Sequence, residues 1–188
     1  MNTSPALLSA ANSLLIIVDL QTKLSAVMPD AEAKLMTANA GSLLETAAIL
    51  NIPVLLTEQY PKGLGATDSS IIQKLPEATR VFEKTGFSCC LAEGFCAALE
   101  SSDRKQIILA GLEAHVCVLQ TALELRHNGY QVYVVEDATC SRKPVHKSYA
   151  LQRMQQQGIT ITNHESVLFE WLRDASHPDF RRISGLLR

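Results

Sequence analysis

Three side chains in this sequence have types that work together in nucleophilic chemistry: Asp19, Lys84 and Cys117. A cysteine attacks as its thiolate, so it needs a neighbouring group to manage the proton and a cation to stabilise the anionic forms. Asp19 can supply the first and Lys84 the second. The sharpest signal is the stretch Gly111-Leu-Glu-Ala-His-Val-Cys117-Val. There the cysteine follows a buried-strand pattern, Lys105 to Gly111, and falls on the first turn of an amphipathic helix pattern, His115 to Arg126. The positive end of a helix lowers a thiol's pKa, so Cys117 is expected to be a low-pKa nucleophile.

Each residue also has a structural explanation. Asp19 could cap a turn after a strand, Lys84 could be a solvated lysine, and Cys117 could be a small buried apolar residue. Their common position at the carboxyl ends of three separate strand patterns favours the chemical reading, because ligand crevices of open α/β sheets lie there. His115, two positions before Cys117, suggests a Cys/His dyad. Residues two apart on a helical turn point in different directions, so His115 is expected to line the pocket or pack on a neighbouring subunit. Cys89, Cys90, Cys96 and Cys140 read as structural. His127, His146, His164 and His177 are scattered, and no Cys-x-x-Cys or His-x-x-x-His pair exists, so no metal is expected.

The elements that must position these residues alternate between apolar β-branched runs and helical-period stretches. Strands are expected at 14–19, 52–57, 79–84, 105–111, 130–136 and 159–162. Helices are expected at 31–50, 91–99, 115–126 and 145–157, with a further one from the Asn163 cap to about Trp171. A long loop, 58–69, follows the second strand. Gly129 should end the helix before the fifth strand. Phe180, Ile183 and Leu187 suggest a short last helix within 174–188. The expected architecture is a single α/β domain over residues 1–188. It is a doubly wound, Rossmann-like three-layer sandwich whose six-stranded, mostly parallel sheet has strand order 3-2-1-4-5-6.

The chain has 188 residues, 47% hydrophobic and 19% charged, with a formal net charge of -2. A chain of this size buries roughly 70% of its unfolded surface. The near-balance of charge offers no electrostatic footprint for nucleic acid. Five cysteines, an odd number at low density, point to a reducing compartment. Met1 to Ser13 contains no Lys or Arg, unlike a secretory leader, and the apolar run Leu14–Val18 is too short to span a membrane. A cytoplasmic protein is expected.

The motifs Ile17-Val-Asp19-Leu-Gln21, Phe82-Glu-Lys84 and Ala110-Gly111-Leu-Glu-Ala-His-Val-Cys117-Val-Leu-Gln-Thr121-Ala-Leu, followed by Val134-Val-Glu-Asp137-Ala and Ser141-Arg, resemble the isochorismatase-like cysteine hydrolases. The resemblance runs from Leu14 to Trp171. It implies an Asp19, Lys84, Cys117 triad that cleaves a small amide or related C–N bond through an acyl-thioester, without a cofactor. It also implies a non-proline cis peptide at Leu112–Glu113, aiming the Glu113 N–H beside that of Cys117 as an oxyanion hole, and assembly into a homo-oligomer.

The chain departs from parts of that family. Nicotinamidases hold a metal with an Asp-x-His after the second strand, whereas here the stretch is Thr57-Glu-Gln-Tyr-Pro61 and no histidine precedes His115. Isochorismatases acting on vinyl ethers typically lack the cysteine. The substrate is therefore read only as a small molecule, with Gln21, Gln59, Tyr60 and His115 as candidate pocket residues. An oligomeric binding or scaffold protein with a vestigial triad is an alternative, as is an isochorismatase- or nicotinamidase-type activity. A flavodoxin-like nucleotide binder is another, but no Gly-x-Gly-x-x-Gly supports it.

Overall fold

The computed structural model describes residues 7–187. The outer ends of the two terminal segments read above, residues 1–6 and 188, lie outside the described residues. Six strands form one sheet: β1 (Ser13–Val18), β2 (Val54–Gln59), β3 (Arg80–Lys84), β4 (Gln106–Leu112), β5 (Gln131–Cys140) and β6 (Thr160–Thr162). Their order is β3-β2-β1-β4-β5-β6 and every neighbouring pair is parallel. This is the expected doubly wound α/β sandwich.

The helices are α1 (Thr22–Ser25), α2 (Asp30–Ile49), α3 (Pro61–Leu64), α4 (Ser69–Ile72), α5 (Phe95–Ser101), α6 (Leu119–His127), α7 (Pro144–Gln156), α8 (His164–Leu172) and α9 (Phe180–Ser184). β1 and β4 are buried at every position, as the central strands of a parallel sheet must be. Alternate residues of β1 serve opposite faces. Leu15 and Ile17 pack into a core with Met36 and Leu43 of α2 and Leu168 of α8, while Leu14, Ile16 and Val18 pack with Phe95 of α5, Ala122 of α6 and Met154 of α7.

The caps follow the sequence. Asn163 accepts from the Ser166 N–H at 2.8 Å, Pro144 opens α7, and Gly129 adopts φ 87 beyond the end of α6. Three segments differ from expectation. The 91–99 helix is a 3-10 turn, Cys89–Leu91, followed by α5, because Gly94 at φ 75 interrupts it. The 58–69 loop contains α3 and the start of α4, and Thr67 forms an antiparallel bridge to Gln21. β5 continues to Cys140, its pairing resuming past a register shift opposite β4 between Leu109 and Gly111.

The same shift explains how β4 ends. Gly111 adopts φ 128 with its backbone against Val18 of β1, a close approach that any Cβ would obstruct. Beyond it the chain enters a π turn, Ala114–Val118, before α6 begins. Among the described residues no peptide bond is cis, so Leu112–Glu113 is trans, against the expectation from the resemblance. The redirection made there is carried by Gly111 and the π turn, which need no cis bond.

Candidate active site

The sheet reverses its winding between β1 and β4, and in open α/β sheets the carboxyl ends of the strands at such a switch point are where ligands bind. Asp19 immediately follows β1. Its φ of 53 is a left-handed conformation that aspartate tolerates, and its N–H donates to Thr57 O at 3.1 Å. Cys117 sits in the π turn after β4, where the amides of Val116 and Val118 both donate to Glu113 O, at 3.0 and 3.3 Å. Turns of this kind recur at functional sites. Lys84 ends β3, two strands from Asp19, and its long side chain reaches across the end of β2.

The three side chains meet. Lys84 Nζ donates to Asp19 Oδ2 at 2.7 Å and lies 3.5 Å from Cys117 Sγ. Both members of the ion pair have fully buried side chains. A pair so placed is tolerable only when its other hydrogen-bonding capacity is met. Thr57 Oγ1 donates to Asp19 Oδ1 at 2.8 Å, and Gln59 Oε1 accepts from Lys84 Nζ at 2.6 Å.

The Cys117 thiol is pushed up to about 12, first by burial and then by the Asp19 charge, with Lys84 pulling the other way. This overturns the expectation of a low-pKa cysteine. Desolvation and a neighbouring carboxylate both disfavour a second anion, and they outweigh the single cation and the helix end. The sulfur lies between the Lys84 ammonium at 3.5 Å and Gln59 Oε1 at 4.0 Å.

The four candidate pocket residues separate. Gln21 is fully buried and acts as a clip. Its Oε1 accepts from Gln59 N at 2.8 Å, and its Nε2 donates to Gln59 O at 3.0 Å and Gly65 O at 2.5 Å. It is a structural residue of the site, because both ends of its amide are committed to the backbone. Gln59 is a partner of the lysine, with its Nε2 held by Thr85 O at 2.8 Å and its Oε1 4.0 Å from Cys117 Sγ. Tyr60 lies on the rim of a cleft of about 330 Å3 that it lines with Lys84, Thr85 and Leu91. His115 lines a different cleft, where its Nδ1 is 3.0 Å from Ser141 Oγ and its ring 4.9 Å from that of His146. Burial lowers its pKa.

Two further residues of the site, Thr57 and Glu58, have no role that the sequence alone assigns. Thr57 holds Asp19, as above. Glu58 is nearly buried and takes both the N–H and the hydroxyl of Thr67 on Oε1, each at 2.7 Å, which fastens the 60–68 segment over the cleft. The only hint was their position at the end of β2. Arg142 ion-pairs with Glu113 at 2.6 Å, tying the segment after β5 to the π turn. Among the described residues no group of three or more His, Cys, Asp or Glu could hold a metal ion. No helix among them is long and apolar enough to cross a membrane.

Comparisons with known proteins bear on this geometry. Residues 13–166 match the model of the isochorismatase domain. The chain is 43% identical over 146 residues to zebrafish (Danio rerio) isochorismatase domain-containing protein 1, covering 78% of this chain and 51% of that protein. It therefore spans about half the length of that relative. A solved structure described as MAR1 ribonuclease from Caenorhabditis elegans superposes with a TM-score of 0.91 at 36% identity, covering 97% of this chain and 92% of that one. The Escherichia coli YcaC gene product, described as an octameric hydrolase of unknown specificity, has a TM-score of 0.86 at 26% identity, covering 97% of each chain. With the isochorismatase domain matched across all six strands, the chain belongs to the isochorismatase family.

Proposed function

We propose that the protein is a metal-independent cysteine hydrolase that cleaves a small amide or related C–N bond through an acyl-thioester on Cys117. The observation that carries this reading is the meeting of the Asp19 carboxylate, the Lys84 ammonium and the Cys117 sulfur in one buried site, from three strands. A thiol that is neutral at rest suits general-base activation. As Sγ bonds to the substrate carbonyl carbon, its proton passes to Asp19, so thiolate develops only along the reaction path. Lys84 keeps a positive charge beside both the carboxylate and the sulfur. The donors assigned to the oxyanion are the Cys117 amide on the π turn and the Glu113 amide just before it, the latter without the cis bond expected to aim it, each worth about 3 kcal/mol in such a role.

Asp19 then gives its proton to the leaving nitrogen, and the C–N bond breaks. Water loses a proton to the same carboxylate, attacks the thioester, and restores the thiol. Assembly into a homo-oligomer belongs to this reading, supported by the octameric E. coli relative. A ribonuclease activity, the description carried by the C. elegans neighbour, fits less well. Phosphate-directed binding draws on an excess of basic charge, and this chain has 17 Lys and Arg against 19 Asp and Glu.

The test is a panel of small amides, ureides and hydroxamates, with RNA included, and mass-spectrometric trapping of an acyl group. Mass added at Cys117 by a hydrolysed amide, absent in Cys117→Ser and Asp19→Asn, is the expected result. Hydrolysis that persists in Cys117→Ala, or that is confined to RNA, overturns the proposal.

A further inference from the structure

Cys89, Cys90 and Cys96 take no part in the chemistry above, yet two of them meet. Cys90 lies in the 3-10 turn Cys89–Leu91, Cys96 in the first turn of α5, and Gly94 turns the chain between them. Cys96 Sγ donates to Cys90 O at 3.7 Å, and the two thiols are near enough that ionisation of one disfavours ionisation of the other. Both are free and only half-buried. Cys96 also lines an open cleft of about 340 Å3 with Glu100, Leu125 and Tyr130, which gives a small reagent access. Cys89 is different. Its sulfur is sealed in the core, 3.6 Å from Thr57 Oγ1, so adjacency in sequence does not make it the partner of Cys90.

We propose that Cys90 and Cys96 form a dithiol site that a two-electron oxidant, a peroxide, closes to a disulfide. Two S–H bonds break and one S–S bond forms. The two electrons and two protons pass to the peroxide, which leaves as two molecules of water when it is hydrogen peroxide. Thiolate attack drives each step, so the protonation of the pair sets its rate. Burial and the neighbouring Cys96 push the Cys90 thiol up to about 12. The groups facing the pair are Glu124 of α6, Glu100 of α5 and Tyr130 ahead of β5, with Lys105 5.7 Å above the Tyr130 ring. Closure is therefore slow at neutral pH and faster as pH rises.

The site adjoins the catalytic one without depending on it. The turn that carries Cys90 also carries Cys89, beside the Thr57 hydroxyl that holds Asp19, and Leu91, on the wall of the cleft at Lys84. A disulfide would pin that wall.

The whole chain is treated with hydrogen peroxide at about pH 9, where thiolate is better populated, then alkylated, digested without reductant and mapped by mass. The expected product joins Cys90 to Cys96, is released by dithiothreitol, persists in Cys117→Ser, and is absent from Cys90→Ser and Cys96→Ser. Oxidation that stops at sulfinic acids on these positions, or a cross-link that uses Cys89 or joins two chains, overturns the proposal. Phenylarsine oxide, whose arsenic bridges two close thiols, gives a second measurement on the unmodified sequence. It should protect Cys90 and Cys96 together from maleimide, and alkylation of both at the untreated rate would refute their pairing.

Discussion

Burying Lys84 against Asp19 removes two charges from water, and a contact of 2.7 Å offsets that cost only because Thr57 and Gln59 complete the shells of both groups. The pair is consequently expected to behave as a unit. Lys84→Met leaves a buried carboxylate without its cation and should cost about 3–5 kcal/mol, whereas replacing both charges is commonly near neutral. In urea unfolding, Asp19→Asn with Lys84→Met should therefore lose less stability than Lys84→Met alone, giving a coupling of about 2 kcal/mol or more. Additive losses would mean that the two groups do not depend on each other. The proposed chemistry would impose the same dependence, since in it Asp19 receives the thiol proton while the ammonium holds the carboxylate in place, so every one of these variants should also fail to form the acyl adduct.

At the scale of elements, the position of Cys117 depends on how β4 ends. Gly111 presses its backbone on Val18 at φ 128, and a methyl group there would meet the Val18 carbonyl oxygen in the middle of the sheet. Gly111→Ala is expected to destabilise the protein by roughly 3–5 kcal/mol, the range of strained backbone combined with disrupted core. It should also abolish Cys117 acylation at temperatures where the variant is still folded. Thermal unfolding beside the acylation assay checks both, and a variant of wild-type stability would show that β4 can end without this close approach. The strands themselves are legible in the sequence, because fully buried parallel strands are runs such as Leu14–Val18 and Ile107–Ala110, and their carboxyl ends mark Asp19, Lys84 and Cys117. The π turn is not, because Ala114–Val118 has the apolar spacing of an ordinary helix start and only the register shift at Gly111 distinguishes it. The roles of Gln21 and Gln59 are not legible either. A side-chain amide serves backbone, lysine or ligand according to what the fold brings near it, and here the 60–68 segment brings Gly65, and the end of β3 brings Thr85, within reach.

Across the whole molecule, thiols closed inside the two-faced core make stability depend on alkaline pH. Burial pushes the Cys89 thiol up to about 11, and burial with the Asp19 charge pushes that of Cys117 up to about 12. In the unfolded chain a cysteine titrates near the ordinary value of about 8.5. Above that pH the unfolded state binds fewer protons than the folded one, so stability falls as pH rises. The contribution of these thiols is fully present below about pH 8.5 and is lost progressively as pH climbs towards 11–12, at up to about 1.4 kcal/mol per pH unit for each group. Cys90 adds a smaller increment because solvent screens a half-exposed site. Urea unfolding at a series of pH values should be nearly flat in this respect from about pH 6 to 8 and then decline, with Cys117→Ser removing part of the alkaline slope. The same protonation governs reactivity. Without substrate, iodoacetamide labelling of Cys117 should rise close to tenfold per pH unit through the alkaline range, as the thiolate fraction does. A labelling rate already level at about pH 7 would instead mean a resting thiolate, and Asp19 could not then be the group that receives its proton in the first step.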